Sequence, residues 1–163
     1  MLTQMQVRGL MFDPYTNAYI VILRDDGNSE MLPIWVGAYE ANAIALEIEK
    51  IAPPRPMTHD LLRNLIVEMG IQVERVVVTS LRDNTFFAVI EMQTSDGNRM
   101  VLDSRPSDAI ALALRADCPI YVDTEVIKAS RNTVPTDEEL AEEGAVTEEE
   151  WPDVIGEAGD LPM

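Results

Sequence analysis

Ala43-Ile44-Ala45-Leu46 and Ala109-Ile110-Ala111-Leu112 are the same four residues written twice, each inside a helix-like run. Working outward, each run follows a short apolar strand, and each strand follows a turn containing Asp-Gly-Asn, at Asp26-Gly27-Asn28 and Asp96-Gly97-Asn98. The polar residues just before the two helices differ. They are Trp35-Val36-Gly37-Ala38-Tyr39-Glu40 in the first copy and Asp103-Ser104-Arg105-Pro106-Ser107-Asp108 in the second. One reading is a structural strand-hairpin-helix unit used twice. The other is a single site built from two halves that share a scaffold and bring different polar groups.

The remaining segments fit the same plan. Thr3 to Leu10 and Asn17 to Arg24 read as strands, the second rich in Tyr, Ile and Val. Asp25-Asp26-Gly27-Asn28 turns the chain, because Gly and Asn tolerate positive φ, and Glu30 to Val36 returns as a third strand. Gly37 breaks it. Ala38 to Ile51 reads as a helix with Ala41, Ile44, Ile48 and Ile51 on one face, stopped by Ala52-Pro53-Pro54-Arg55-Pro56. Thr58 is the expected N-cap of an amphipathic helix through Leu61, Leu62, Leu65, Ile66 and Met69, closed by Gly70. Ile71 to Leu81, a tight turn at Asp83-Asn84, and Thr85 to Gln93 form a hairpin, and Met100 to Leu102 a further strand. Ser104 or Ser107 is expected to cap the next helix, with Pro106 in its first turn and an end near Ala116. Pro119 to Val122 is a short strand, and Asp123 to Ala129 a helical turn or strand end. Because hairpins predominate, the fold class is α+β, with mostly antiparallel sheets from two pseudo-repeated strand-strand-strand-helix halves and a linking helix.

Length allows one domain comfortably: 163 residues, 47% of them hydrophobic. No apolar run spans a membrane and no signal peptide is evident, so the expected setting is cytoplasmic. The single cysteine, Cys118, excludes an internal disulfide and a multi-cysteine zinc site, and reads as a small core residue. Charge divides the chain. Eleven of the 29 acidic residues lie in 132–163, which holds no Lys or Arg, so residues 1–131 carry 18 acidic against 12 basic side chains, a net of −6. The expected organisation is a domain over 1–131 and an acidic, disordered tail over 132–163. An acidic body argues against broad electrostatic binding to DNA. Ten of the 12 basic residues are arginines, whose planar fork suits phosphate and carboxylate.

Three places offer chemistry. His59, the one histidine, stands beside Asp60 at a helix start, where it serves as a general base, a phosphate contact, a metal ligand, or merely a first-turn surface residue. Asp103-Ser104-Arg105-Pro106-Ser107-Asp108 places two carboxylates, two hydroxyls and a guanidinium at a helix start. Free helix N–H groups there suit an anion, and the carboxylates suit Mg²⁺ or Mn²⁺; capping with a salt-bridged Arg105 accounts for part of this set. Glu40 lies in the first turn of the other helix. Glu47 follows it by seven residues on the same face and is expected to face solvent. No phosphate loop, dinucleotide-binding fingerprint, nucleophile elbow or metal-binding histidine pair occurs, and no organic cofactor is expected.

Leu32-Pro33-Ile34-Trp35-Val36-Gly37 followed by Glu40-Ala41 and Ala43-Ile44, then Arg55-Pro56-Met57-Thr58-His59-Asp60-Leu61, then Asp103 to Ala113, and finally Pro119-Ile120-Tyr121-Val122 resemble the bifunctional nuclease family over roughly residues 4–130. The resemblance implies a self-associating α+β domain that hydrolyses phosphodiester bonds in RNA and DNA. On these residues, Glu40, Asp103 and Asp108 are expected to place a divalent metal or a water. Arg105, Ser107 and Arg55 are expected to hold the substrate phosphate. His59 is expected to move a proton, with Asp60 orienting it or meeting the metal. The rival is a non-catalytic anion- or protein-binding regulatory module, and a third reading is a structural oligomer using Trp35 and Tyr39. Convergence of His59, Arg105 and Asp108 separates chemistry or anion binding from scattered surface roles.

Overall fold

The computed structural model describes residues 1–132. Strands β1 (Leu2–Asp13), β2 (Ala18–Arg24) and β3 (Met31–Val36) lead into helix α1 (Ala38–Ile48), and helix α2 (Thr58–Glu68) follows. Strands β4 (Gln72–Arg82), β5 (Thr85–Gln93) and β6 (Arg99–Ser104) lead into helix α3 (Pro106–Ala116), after which β7 (Ile120–Asp123) and α4 (Thr124–Arg131) close the chain's described part. The two strand-strand-strand-helix halves and the linking helix thus stand where the repeated residues put them. The expectation of a disordered tail falls, from residue 133 on, outside the described residues. No helix among the described residues is long and apolar enough to cross a membrane.

The strands form one seven-stranded sheet in the order β3-β2-β1-β7-β4-β5-β6. β7 joins the halves, antiparallel to β1 and parallel to β4, while the other neighbouring pairs are antiparallel. The turns explain this hairpin bias. Asp83 and Asn84 both take positive φ, the two-residue turn whose twist matches that of the flanking strands. Gly97, at φ 83, lies in the five-residue loop between β5 and β6. Bulges at Val7/Gly9, Val73/Arg75 and Val78/Ser80 add local twist.

Helices α1 and α3 pack on each other and α2 packs on α3. Ala43, Ala45, Ala109, Ala111 and Ala113 of these helices are buried, and Ile44, Ile110 and Leu112 join Val21, Leu23, Val76, Val78, Ala88 and Ile90 in one core cluster.

Strand β1 runs longer than expected, α4 is a full helix, and three helix ends differ for identifiable reasons. Helix α1 stops at Ile48 rather than Ile51, because Lys50 turns left-handed and the Ile51 N–H bonds back to the Leu46 carbonyl. Helix α2 starts at Thr58, not after it: the N-cap is Met57, whose N–H donates to the Asp60 carboxylate at 2.9 Å. Neither Ser104 nor Ser107 caps α3. Pro106 takes the first helical position and holds the preceding residue extended, so Arg105 is the N-cap (φ −72, ψ 145).

Candidate functional site

The starts of α1, α2 and α3 bring four expected side chains into one chain of contacts. His59, in the first turn of α2, shares a 2.9 Å hydrogen bond between Nε2 and Asp108 Oδ1. The other Asp108 oxygen accepts from Arg105 Nε at 2.9 Å, and the Arg105 Nη2 donates to Glu40 Oε1 at 2.6 Å. Residues separated by up to 65 positions are therefore contiguous. His59, at 12% side-chain exposure, is nearly enclosed, whereas Arg105 stays largely open to solvent. Its two carboxylate partners, Asp108 first, raise the Arg105 pKa above its ordinary value, so the guanidinium is charged throughout the working pH range. Since a carboxylate accepts at Nε2, the neutral imidazole carries its proton there and its lone pair on Nδ1, which has no partner among the described residues.

Arg105 also borders a cleft of about 540 Å³, together with Ser107, Trp35, Gly37, Asn84 and Phe86. Trp35 is 46% exposed there. Ser107 is buried at the second position of α3, and its N–H and that of Asp108 meet no acceptor among the described residues, as expected for the first turn of a helix. Ser104 Oγ is buried without a hydrogen-bond partner at the end of β6.

The remaining expected residues stand elsewhere. Asp60 does not touch His59. One of its oxygens takes the Met57 N–H and the other takes Arg115 Nε at 2.8 Å. Burial opposes the charged form of Asp60, but these partners outweigh it and hold the carboxyl below its usual range. Asp103 is exposed on β6 opposite Val89 and forms no ion pair among the described residues. Arg55 is exposed in the loop before α2, likewise without an ion pair among the described residues. Glu47 is half-buried rather than turned to solvent, 3.9 Å from Arg115 Nε. Among the described residues no group of three or more His, Cys, Asp or Glu side chains is placed to hold a metal. Glu40 and Asp108 surround a guanidinium instead, so this donor arrangement does not fit a resident divalent ion.

Two contributors escaped the sequence. Arg115 is the largest. Its side chain is 2% exposed, and besides Asp60 it donates to the Ala111 and Ala43 carbonyls at 2.9 and 3.0 Å. It ties α1, α2 and α3 together beneath the four-residue cluster. Its signal was the one basic residue in α3, seven residues after Asp108 and so on the same face. Gly37, the N-cap of α1, is the other: a Cβ there would lie 2.5 Å from Glu40 Oε2. A side chain at this position displaces the Glu40 carboxylate, a close approach that could not be seen in the letters.

Comparison with known proteins follows the same segments. The family model for the bifunctional nuclease domain matches residues 21–135. An uncharacterised protein of Mycobacterium tuberculosis is 35% identical over 147 residues, covering 90% of this chain and 87% of that protein. Bifunctional nuclease 2 of Arabidopsis thaliana is 30% identical over 105 residues, 63% of this chain and 32% of its own length. Bifunctional nuclease 1 of Oryza sativa subsp. japonica is 27% identical over 109 residues, 66% of this chain and 33% of its own. With the family match spanning most of the chain and the fold arranged as its motifs imply, this protein belongs to the bifunctional nuclease domain family.

Proposed function

We propose that this chain hydrolyses phosphodiester bonds of RNA and DNA at the start of α3. The observation that carries the reading is the unbroken contact chain His59–Asp108–Arg105–Glu40, whose Arg105 borders an open cleft. Asp108 fixes the imidazole tautomer, and Nδ1 takes a proton from a water that attacks phosphorus. The new P–O bond forms as the ester P–O bond breaks; the departing alkoxide takes a proton from solvent water, and the imidazolium then returns its proton to solvent. Glu40 and Asp108 hold Arg105 in place while its remaining N–H groups, with the free N–H groups of Ser107 and Asp108, face the charge developing on the phosphoryl oxygens. Trp35 offers an apolar surface for an unstacked base, which favours a single strand over a duplex. The acidic body points the same way, because it provides no basic track for duplex phosphates.

No step is assigned to a metal. A divalent ion at this position has to displace Arg105 from Glu40 and Asp108. A second reading, anion binding without chemistry, draws on one observation: the Arg105 side chain is 67% exposed beside the free N–H groups at the start of α3.

Cleavage of single-stranded RNA and DNA, in Mg²⁺, in Mn²⁺ and in EDTA, tests the proposal against an Arg105→Ala/Asp108→Ala variant. Cleavage lost in the folded variant and retained in EDTA supports it. Cleavage abolished by EDTA moves the chemistry to an ion, and cleavage equal in both proteins removes it from this site. Oligonucleotide binding without cleavage, lost in the variant, supports the anion-binding reading.

A further inference from the structure

The cleft beside Arg105 is walled by both halves of the chain. Trp35 and Gly37 come from the end of β3, Asn84 and Phe86 from the β4–β5 hairpin, and Arg105 and Ser107 from the start of α3. Its volume of about 540 Å³ lies within the roughly 300–1,000 Å³ that seat a small organic group. Two of its walls are aromatic. Trp35 is 46% exposed. Side chains alternate along β5, so Phe86 faces the cleft while Phe87 faces the other side of the sheet, where Arg82 stacks on it at 4.3 Å. Arg105 and the start of α3 suit phosphate, which leaves the aromatic end for another part of the same strand.

Asn84 has no role in the proposed chemistry. It forms the second corner of the hairpin turn, at φ 58 after Asp83 at φ 51. Positive φ accounts for an Asn or a Gly there. It does not account for the place of the amide: Asn84 lines the cleft, is exposed, and forms no side-chain hydrogen bond among the described residues. A primary amide carries an acceptor and two donors side by side, the pattern that reads the edge of a base.

We infer that the cleft seats one unstacked nucleobase against Trp35 and Phe86, and that Asn84 selects adenine. The inference rests on the phosphodiesterase reading, since it sets the base beside the phosphate held at Arg105. An unstacked base shows both of its edges to a protein. On adenine the N6 amino group lies between two acceptors, N1 and N7. The Asn84 carbonyl accepts from N6, and its NH₂ donates to N1 or N7, so the amide fits either edge. Guanine O6 has a donor at N1 but an acceptor at N7, so only one edge fits. Cytosine and uracil present a single ring, which covers less of the two aromatic walls.

Two assays on the full chain test this. Calorimetry with AMP, CMP, GMP and UMP, none of which has a diester to cleave, reads the base subsite alone. Uridine decamers carrying one central A, C or G read scission at that residue. AMP is expected to bind about tenfold tighter than UMP, and scission beside adenosine to exceed scission beside uridine by about the same factor. Asn84→Gly keeps the turn, because glycine takes positive φ freely, and brings both ratios close to one. Asn84→Asp, which has no amide donor, does the same. Equal affinity for the four nucleotides, or an adenine preference that survives both variants, overturns the inference. Selective AMP binding that both variants lose, with no decamer cut, upholds the base subsite and removes the hydrolysis. Scission without base preference in either assay overturns the inference and leaves the hydrolysis standing.

Discussion

Replacing Asp60 by Ala should cost this protein more stability than its partial exposure suggests. The Arg115 side chain is 2% exposed, and Asp60 is its closest carboxylate, at 2.8 Å; Glu47 stands off at 3.9 Å. Removing one partner of a buried ion pair typically costs about 3–5 kcal/mol, because the remaining charge is stranded. Loss of the Met57 N–H acceptor adds about 1 kcal/mol, and the retained attraction of Glu47 offsets part of the sum. The expected cost is therefore about 3–4 kcal/mol at neutral pH. Arg115→Met fills much of the same volume and removes the charge; it leaves Asp60 with the Met57 N–H and some water, so about 1–3 kcal/mol is expected. In the double variant Asp60→Ala/Arg115→Met neither charge is stranded. Its cost should fall short of the sum of the singles by about 1–3 kcal/mol. Urea denaturation measures all three as midpoint shifts at an unchanged slope. A loss below about 1 kcal/mol for Asp60→Ala, or costs that simply add, would refute the placement of Arg115 as the tie among α1, α2 and α3.

The same pair sets an acid limit. Since the folded-state pKa of Asp60 is lowered, its stabilisation is complete above its unfolded value near 4 and disappears as pH falls through the folded value; the stability gap between wild type and Asp60→Asn should be present at pH 7 and close below about pH 4. Gly37→Ala should leave stability within about 1 kcal/mol, because the new Cβ meets only the mobile end of Glu40, yet it should lower kcat/KM about tenfold by pushing that carboxylate off Arg105; unchanged kinetics would detach Glu40 from the site. The Cys118 thiol, pushed up to about 11 chiefly by burial, should react with a disulfide reagent at pH 8 only after denaturation, and rapid reaction of the native protein would contradict its packing.

Much of the fold was legible in the letters, for physical reasons. The Asp-Gly-Asn and Asp-Asn turns need positive φ and declare the hairpins, and the apolar runs around the repeated Ala-Ile-Ala-Leu declare the two helices. What the letters left open is order across the sheet: nothing local tells β7 to lie between β1 and β4. The site was legible as residue types but not as partners. Asp60 adjoins His59 in sequence, yet the first turn of α2 points Asp60 back at Met57 and Arg115, while Asp108, 49 residues on, meets the imidazole. Glu40 and Asp108 read equally well as metal ligands until Arg105 is seen between them. Helix starts were misjudged for one shared reason. The letters suggested hydroxyl caps, whereas Asp60 and Pro106 fix those turns from inside the helix.

The most direct test of the central claim is a kinetic cycle on His59→Ala, Asp108→Asn and their double variant, with single-stranded RNA and DNA. If Asp108 works through the imidazole, each single change should lower kcat by about 10²–10⁴-fold. The double variant should then lose no more than the worse single, as expected for residues acting as one unit. Losses that multiply, or a His59→Ala enzyme that cleaves like the wild type, would contradict the account.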